Sequence, residues 1–471
     1  MRIAAPLLLL CSLAACTVGP DYAGPPATPA AAQFRRADAA ARASPKMADW
    51  WNDLGDPVLA RLVDRALAGN FDLAAAEARL AQARALLRER RADTLPSGTI
   101  GADYARSRPS FAAFGDQLIP GIKPDDLDLY TLSYDASWEI DLFGRKRRTV
   151  EASVRDLETR TAELDDVRLM VATETAQAYV ALRQAQRRLQ LDREAEQVQS
   201  RQFTLITERE RLGVASDLDV QRVSALLDST RAEIPSAEAD IGIALDRLAV
   251  LTGAAPGAVD ELAGEVFAIP APPGTVAIGD PAELLRRRPD IRAAERRLAA
   301  ATARIGINAA DLFPTISLRG IIGLQANALG GLGDGLNYSA GPSLRWLFPD
   351  FGAIRARVEA ATGRRDEQLA LYQGSVVAAL RDAEGAALRF ARLGDEVTLR
   401  VRSEASARRA AMLAETRYRA GAGSLIDMLD AERERVRSST ILADAQAART
   451  AAFVTLQKSL GLGWQQKAPK P

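Results

Sequence analysis

The chain has 471 residues, enough for two or three ordinary domains or for one large repetitive one. Its 61 basic residues balance 61 acidic ones, so no net field draws it to nucleic acid or to an anionic lipid surface. Histidine is absent, and the two cysteines, Cys11 and Cys16, lie within the first sixteen residues. That removes His-built zinc sites, His-dependent triads and thiol chemistry from the body of the chain, so neither a metal nor a cofactor is expected and enzymes are disfavoured.

Met1-Arg2 opens the chain, Ile3 to Leu13 is apolar, and Leu13-Ala14-Ala15-Cys16 follows. A run this short cannot cross ~30 Å of hydrocarbon, so residues 1–15 read as a secretory signal. Leu-Ala-Ala-Cys resembles a bacterial lipobox, in which Cys16 takes a diacylglycerol and, as the new N-terminus, a further acyl chain. A plain signal peptide with Cys16 incidental is the other reading. In the lipobox reading an Asp after the lipid Cys retains a protein at the inner membrane; Thr17 stands there, which points outward. Residues 16–65 form an extended lead, and no later stretch approaches 18 uninterrupted apolar residues, so no transmembrane helix is predicted.

The rest is written twice, as repeats 66–253 and 284–461. Asn70-Phe-Asp72 to Leu80 lines up with Arg288-Pro-Asp290 to Leu298 at an offset of 218, as does Pro96 with Pro314. From Trp138 onto Trp346 the offset is 208, and it holds through Gly213 onto Gly421, Ser216 onto Ser424, Asp219 onto Asp427 and Gly253 onto Gly461. A ten-residue insertion must therefore lie between Pro96 and Trp138. A register kept without gaps over such a length fits long helices, where one lost residue rotates the face by about 100°.

Each repeat reads as helix, two strands, very long helix, tight break and return helix. Strands are expected over about 97–141 and 315–348, because Tyr130, Leu132, Tyr134, Ala136 and Trp138 alternate with Thr131, Ser133, Asp135, Ser137 and Glu139. Tyr338 to Phe348 repeat the pattern. A period of two over about ten residues suits a tilted membrane strand, and Trp138 and Trp346 suit the interfacial belt. A half-buried sheet in a soluble protein alternates in the same way; polar faces carrying Asp135, Glu139 and Arg345 favour a wet lumen. Four strands cannot close a barrel, and an open edge in lipid is costly, so membrane strands force an oligomer.

Val150 to Leu212 contains neither Pro nor Gly, and Val150, Leu157, Leu164, Val171, Ala178 and Ala185 recur every seventh place, a coiled-coil spacing. Long helices are expected over about 150–212 and 354–420, the second weakened by Gly363, Gly374, Gly385 and Gly394, with return helices over about 217–251 and 425–460. Pro235 is expected to kink the first return helix. Residues 254–283 are a Pro- and Gly-rich linker and 462–471 a tail. At the breaks, Gly213 and Gly421 can end a helix, Ser216 and Ser424 can cap the next, and Asp219 and Asp427 fall at the third position. Capping accounts for those two aspartates but not for Asp430, whose counterpart in the first copy is Arg222. Adjacent acids such as Asp125-Asp126 and Asp165-Asp166 read as loop or solvated-face charges.

Trp50-Trp51 with Asp56-Pro57, Asn70 to Leu80, Arg287-Arg288-Pro289-Asp290, Phe313-Pro314 and Cys16 to Tyr22 resemble TolC-family outer-membrane efflux proteins. Within that family they are similar to the OprM/NodT lipoprotein branch that serves resistance-nodulation-division (RND) pumps. The resemblance covers nearly all of the chain from Cys16 to Trp464. It implies an internally duplicated fold, mostly α with membrane β: a trimeric twelve-stranded barrel, four strands per chain, continued by a periplasmic coiled-coil barrel. It also implies an outer-membrane exit duct that carries drugs or other small molecules, with a periplasmic adaptor and an inner-membrane RND-type pump as partners and outer-membrane lipid around it. Tyr418, Asp427 and Asp430 match TolC's tyrosine and gate aspartates; Ile426, Asp430 and Arg433 match the OprM gate. Gly423 stands where TolC has an arginine, so a Tyr–Arg latch of that kind is not expected. Arg222 and Asp430 are expected instead to belong to an ionic lock, and the tips at Gly213, Ser216, Gly421 and Ser424 to meet the adaptor. The alternative is a non-conducting periplasmic coiled-coil scaffold lipoprotein.

Overall fold

The computed structural model describes residues 17–25, 34–35, 49–108, 126–263 and 268–464. The signal segment, Cys16 and Asp125 lie outside the described residues. A 3-10 turn at Trp50–Leu54 precedes α1 (Pro57–Gly69) and α2 (Phe71–Ala92). Then come β1 (Ser97–Ser107), β2 (Leu127–Ile140), α3 (Arg145–Arg211) and α4 (Asp217–Leu251). The second copy runs α5 (Pro281–Arg287), α6 (Pro289–Ala310), β3 (Thr315–Ala326), β4 (Leu336–Arg345), α7 (Phe351–Arg419) and α8 (Leu425–Ser459). Nineteen residues, 108–126, separate β1 from β2, and nine, 327–335, separate β3 from β4, so the ten-residue insertion is located in the first strand connection.

The long helices start earlier than expected, at Arg145 and Phe351. Asp141 explains the first: its carboxylate accepts from the Lys146 and Arg147 backbone N–H groups at 3.1 and 2.8 Å and caps the new turn. Helix α7 runs through all four of its glycines and α4 runs on through Pro235.

Two compact units form, each using both repeats. The first is built on Ala81–Thr159 and Ala294–Tyr372 with the N-terminal segment. It contains an antiparallel sheet in the order β1-β2-β3-β4. Trp138 donates from Nε1 to the Thr94 carbonyl at 3.0 Å and Trp346 to the Leu312 carbonyl at 3.1 Å, the same tie in both copies. Phe143 stacks on Phe313 with ring centroids 4.7 Å apart. Arg148, its side chain only 4% exposed, grips the N-terminal segment through Asp21 at 2.7 Å and the carbonyls of Val18 and Gly19.

The second unit holds residues 49–80, Arg160–Ala293 and the chain from Gln373 onward. Buried Trp50 packs edge-on against Trp51 and Phe453, and Phe453 against Phe390. Asp56 caps α1 ahead of Pro57 and accepts from the Tyr179 hydroxyl. The heptad positions Leu164, Val171, Ala178 and Ala185 are all buried. Asp165 departs from expectation: it is buried, 3.4 Å from Arg168 and 3.5 Å from Arg292, rather than on a solvated face. Burial pushes its carboxyl up against the pull of Arg292 and Arg168, and burial likewise pushes Asp166 up.

Each return helix ends on a matched contact. Asn70 donates from Nδ2 to the Leu251 carbonyl at 3.0 Å, and Arg288 donates from Nη1 to the Ser459 carbonyl at 3.0 Å. Different side chains thus satisfy the same orphan carbonyl at equivalent places. Asn70 also caps α2 through the Asp72 and Leu73 N–H groups, while Arg288 pairs with Asp290 at 2.7 Å.

Candidate functional site

The sheet register sorts most side chains by polarity. Cross-strand partners share a face, and the rows Thr99–Asp135–Ile321–Ser339, Ser97–Ser137–Arg319–Gly341 and Glu139–Ser317–Ser343 make one face predominantly polar. The rows Ile100–Tyr134–Ile322–Tyr338 and Ala102–Leu132–Leu324–Leu336 make the other apolar. Among the described residues nothing covers that apolar face: Ile100 is 75% exposed and Tyr338 79%. β1 and β4 each present an edge that is unpaired among the described residues. An apolar surface this large, on strands of membrane length, marks a lipid or protein contact.

At the two helical breaks the backbone is the same in both copies. Gly213 and Gly421 take φ of 71° and 72°. The Val214 N–H bonds the Arg209 carbonyl at 2.8 Å, and the Ala422 N–H bonds the Arg417 carbonyl at 2.9 Å, the Schellman closure that satisfies the last orphan carbonyls. Ser216 then accepts from the Asp219 N–H at 3.3 Å and Ser424 from the Asp427 N–H at 3.1 Å. The hairpins pack together through Ile206, Val223, Leu425, Met428 and Leu429, with Tyr418 against the cluster.

The side chains around these closures differ. Asp219 completes a capping box, accepting from the Ser216 N–H at 3.2 Å, and lies 3.7 Å from Arg222. Asp427 supplies only its N–H to the cap. Asp430 pairs with Arg433 at 2.9 Å on an exposed face, and Ile426 is exposed. Within one chain, then, Arg222 and Asp430 each pair along their own helix and not with each other. Sequence reasoning missed Arg209, whose guanidinium lies 4.8 Å from the centre of the Tyr418 ring. The repeat aligns Arg209 with Arg417, next to Tyr418, but that alignment does not bring the two hairpins together.

A family model described as "Outer membrane efflux protein" matches residues 62–254 and 281–462, the two repeats. The chain is 32% identical to outer membrane protein OprJ of Pseudomonas aeruginosa over 98% of its own length and 95% of that protein's. It is 31% identical to nodulation protein T of Rhizobium leguminosarum bv. trifolii, over 97% and 96% respectively. Its structure superposes on the solved outer-membrane channel OprN with a TM-score of 0.87 at 36% identity, covering 96% of this chain and all of that one. The chain belongs to the outer membrane efflux protein family, in its TolC-like, NodT-related branch.

Proposed function

We propose that three copies of this chain form the outer-membrane exit duct of a tripartite efflux system, passing drugs or other small molecules passively from the periplasm to the outside. The family supplies the coarse statement, an outer-membrane efflux component. The observation that carries the finer one is the two-faced sheet with two open edges. Unpaired peptide groups facing hydrocarbon cost several kcal/mol each, so lipid-embedded strands must close on other copies. Four strands from each of three chains close a twelve-stranded barrel whose polar face is wet.

In this reading Tyr418, Ile426, Asp427, Asp430, Arg433 and Arg222 form the periplasmic gate. The breaks at Gly213, Ser216, Gly421 and Ser424 receive the hairpin of a periplasmic adaptor, which couples the duct to an inner-membrane RND-type pump. Cys16 carries the acyl chains that tether the assembly. Light scattering in detergent should give three chain masses, deletion should raise intracellular drug levels, and Cys16→Ser should remove the lipid mass. A protein that stays a water-soluble monomer once the acyl anchor is removed would overturn the reading. A non-conducting scaffold has no use for the apolar sheet face; absence of channel current from well-inserted protein would revive it.

A further inference from the structure

At the helix-bearing end of the strands, the polar face carries a charge pattern that the duct function alone does not require. A cavity of about 520 Å³ lies there, and its charged lining is Asp93, Glu139, Arg145, Lys146, Arg319 and Arg345. Glu139 is neutralised, because Arg145 grips both of its oxygens at 2.7 and 2.6 Å. Lys146 reaches only the Asp93 carbonyl, at 2.9 Å, and Glu139 at 4.0 Å, while the Asp93 carboxylate faces Arg90 at 3.1 Å. Arg319 and Arg345 are exposed and lie two same-face rows apart on β3 and β4. Among the described residues neither guanidinium has an ion-pair partner. The other acids of the polar strand face, Asp135 and Asp103, sit in rows further from this end, and Asp141 and Asp311, which line the adjoining cavity with Arg345, pair with Arg147 at 3.4 Å and Arg357 at 3.5 Å.

We infer that Arg319 and Arg345 make this end of the polar face an anion-favouring collar, selecting solutes that bear carboxylate, sulfonate or phosphate groups. The inference rests on the duct reading, in which three copies turn two unpaired arginines into a ring of six around a wet lumen. Fixed like charges lining a narrow passage raise the local concentration of counter-ions and repel co-ions. The cations are held by their strands and by the start of α3, so the field persists without any group having to move. Arg145 and Glu139 contribute position rather than net charge.

The test is ion selectivity in planar bilayers under a KCl gradient, at low and at high salt. Wild-type channels should prefer chloride to potassium, and R319Q/R345Q should lower that permeability ratio about threefold. R319K/R345K should retain it. The preference should fade near 1 M salt, where the screening length falls to about 3 Å. Because the body of the chain has no cysteine, R345C offers a second route. A cationic thiol reagent should restore the preference there, and an anionic one should reverse it. Wild-type channels that conduct without anion preference, or a preference unchanged in R319Q/R345Q, overturn the collar and leave the duct standing. Inserted protein that passes no current, wild-type or gate variant alike, overturns the duct and the collar together.

Discussion

The two helical breaks share a backbone and differ in what they do with their acids. In the first copy Asp219 is engaged twice, in the capping box with Ser216 and beside Arg222. In the second, Asp427 gives the cap only its N–H, and Asp430 stands exposed beside Arg433. One hairpin has used its charges to close itself; the other has left them at the surface. Duplication gave two breaks with one backbone, and in the second Asp427 and Asp430 keep their carboxylates outside the cap.

The backbone that the two breaks share depends most on glycine. A Cβ on Gly253, at φ of 73°, would fall 2.0 Å from the Gly69 carbonyl oxygen, so Gly253→Ala should cost several kcal/mol and yield little assembled protein. Gly213 and Gly421 share that backbone conformation but have open space beyond it, so Ala there should cost only about 1–2 kcal/mol each. Thermal melts of the detergent-solubilised assembly rank the three; equal losses would show that the backbone alone decides.

Next comes the acid itself. Asp430→Ala should raise single-channel conductance on the order of threefold, and Arg222→Ala less, because the Asp430 side chain is 63% exposed and that of Arg222 40%. If neither differs from wild type, the lock assignment fails. Smaller again are the caps: Ser216→Ala and Ser424→Ala should each cost about 1 kcal/mol, Ser216 the more, since its capping box is reciprocal. A larger loss at Ser424 would mean that Asp427 supports that turn in the assembled protein.

Much of this was legible in the sequence, and the gaps have physical causes. The constant offset located both breaks and their caps, because a helix in register tolerates no insertion. Alternation located the strands, because successive side chains point to opposite faces. What a helix carries on its far side was not legible: Arg209 over Tyr418 joins two hairpins that no local pattern connects. Asp165 looked solvated because its partner Arg292 lies more than a hundred positions away. Beyond Ala185 the next two seventh places, Asp192 and Gln199, are polar and hide the seam from an apolar pattern. The structure shows that it continues: Asp192 and Gln199 are buried, and Ile206 joins the apolar cluster between the hairpins.

Those two polar seam positions give the smallest and most discriminating prediction. Asp192 is 5% exposed, its Oδ2 has no hydrogen-bond partner, and the nearest cation, Arg188, stands 4.0 Å away. Burial pushes the carboxyl up; Arg188 opposes that and Glu233 adds to it. In the unfolded chain the same group titrates at its ordinary, lower value. Above both values the folded state carries the cost of a buried charge, and below both that cost vanishes. Asp192→Asn should therefore melt higher than wild type near about pH 8, with the gain shrinking to nothing as the pH falls through the ordinary carboxylate range. The equivalent place in the second copy is Arg400, paired with Glu396 at 3.3 Å, so no such gain is expected from Arg400→Gln. A lower melting temperature for Asp192→Asn at high pH would mean that attraction to Arg188 outweighs burial. The seam acid would then be half of a stabilising i,i+4 pair within α3 rather than a cost that the first copy tolerates.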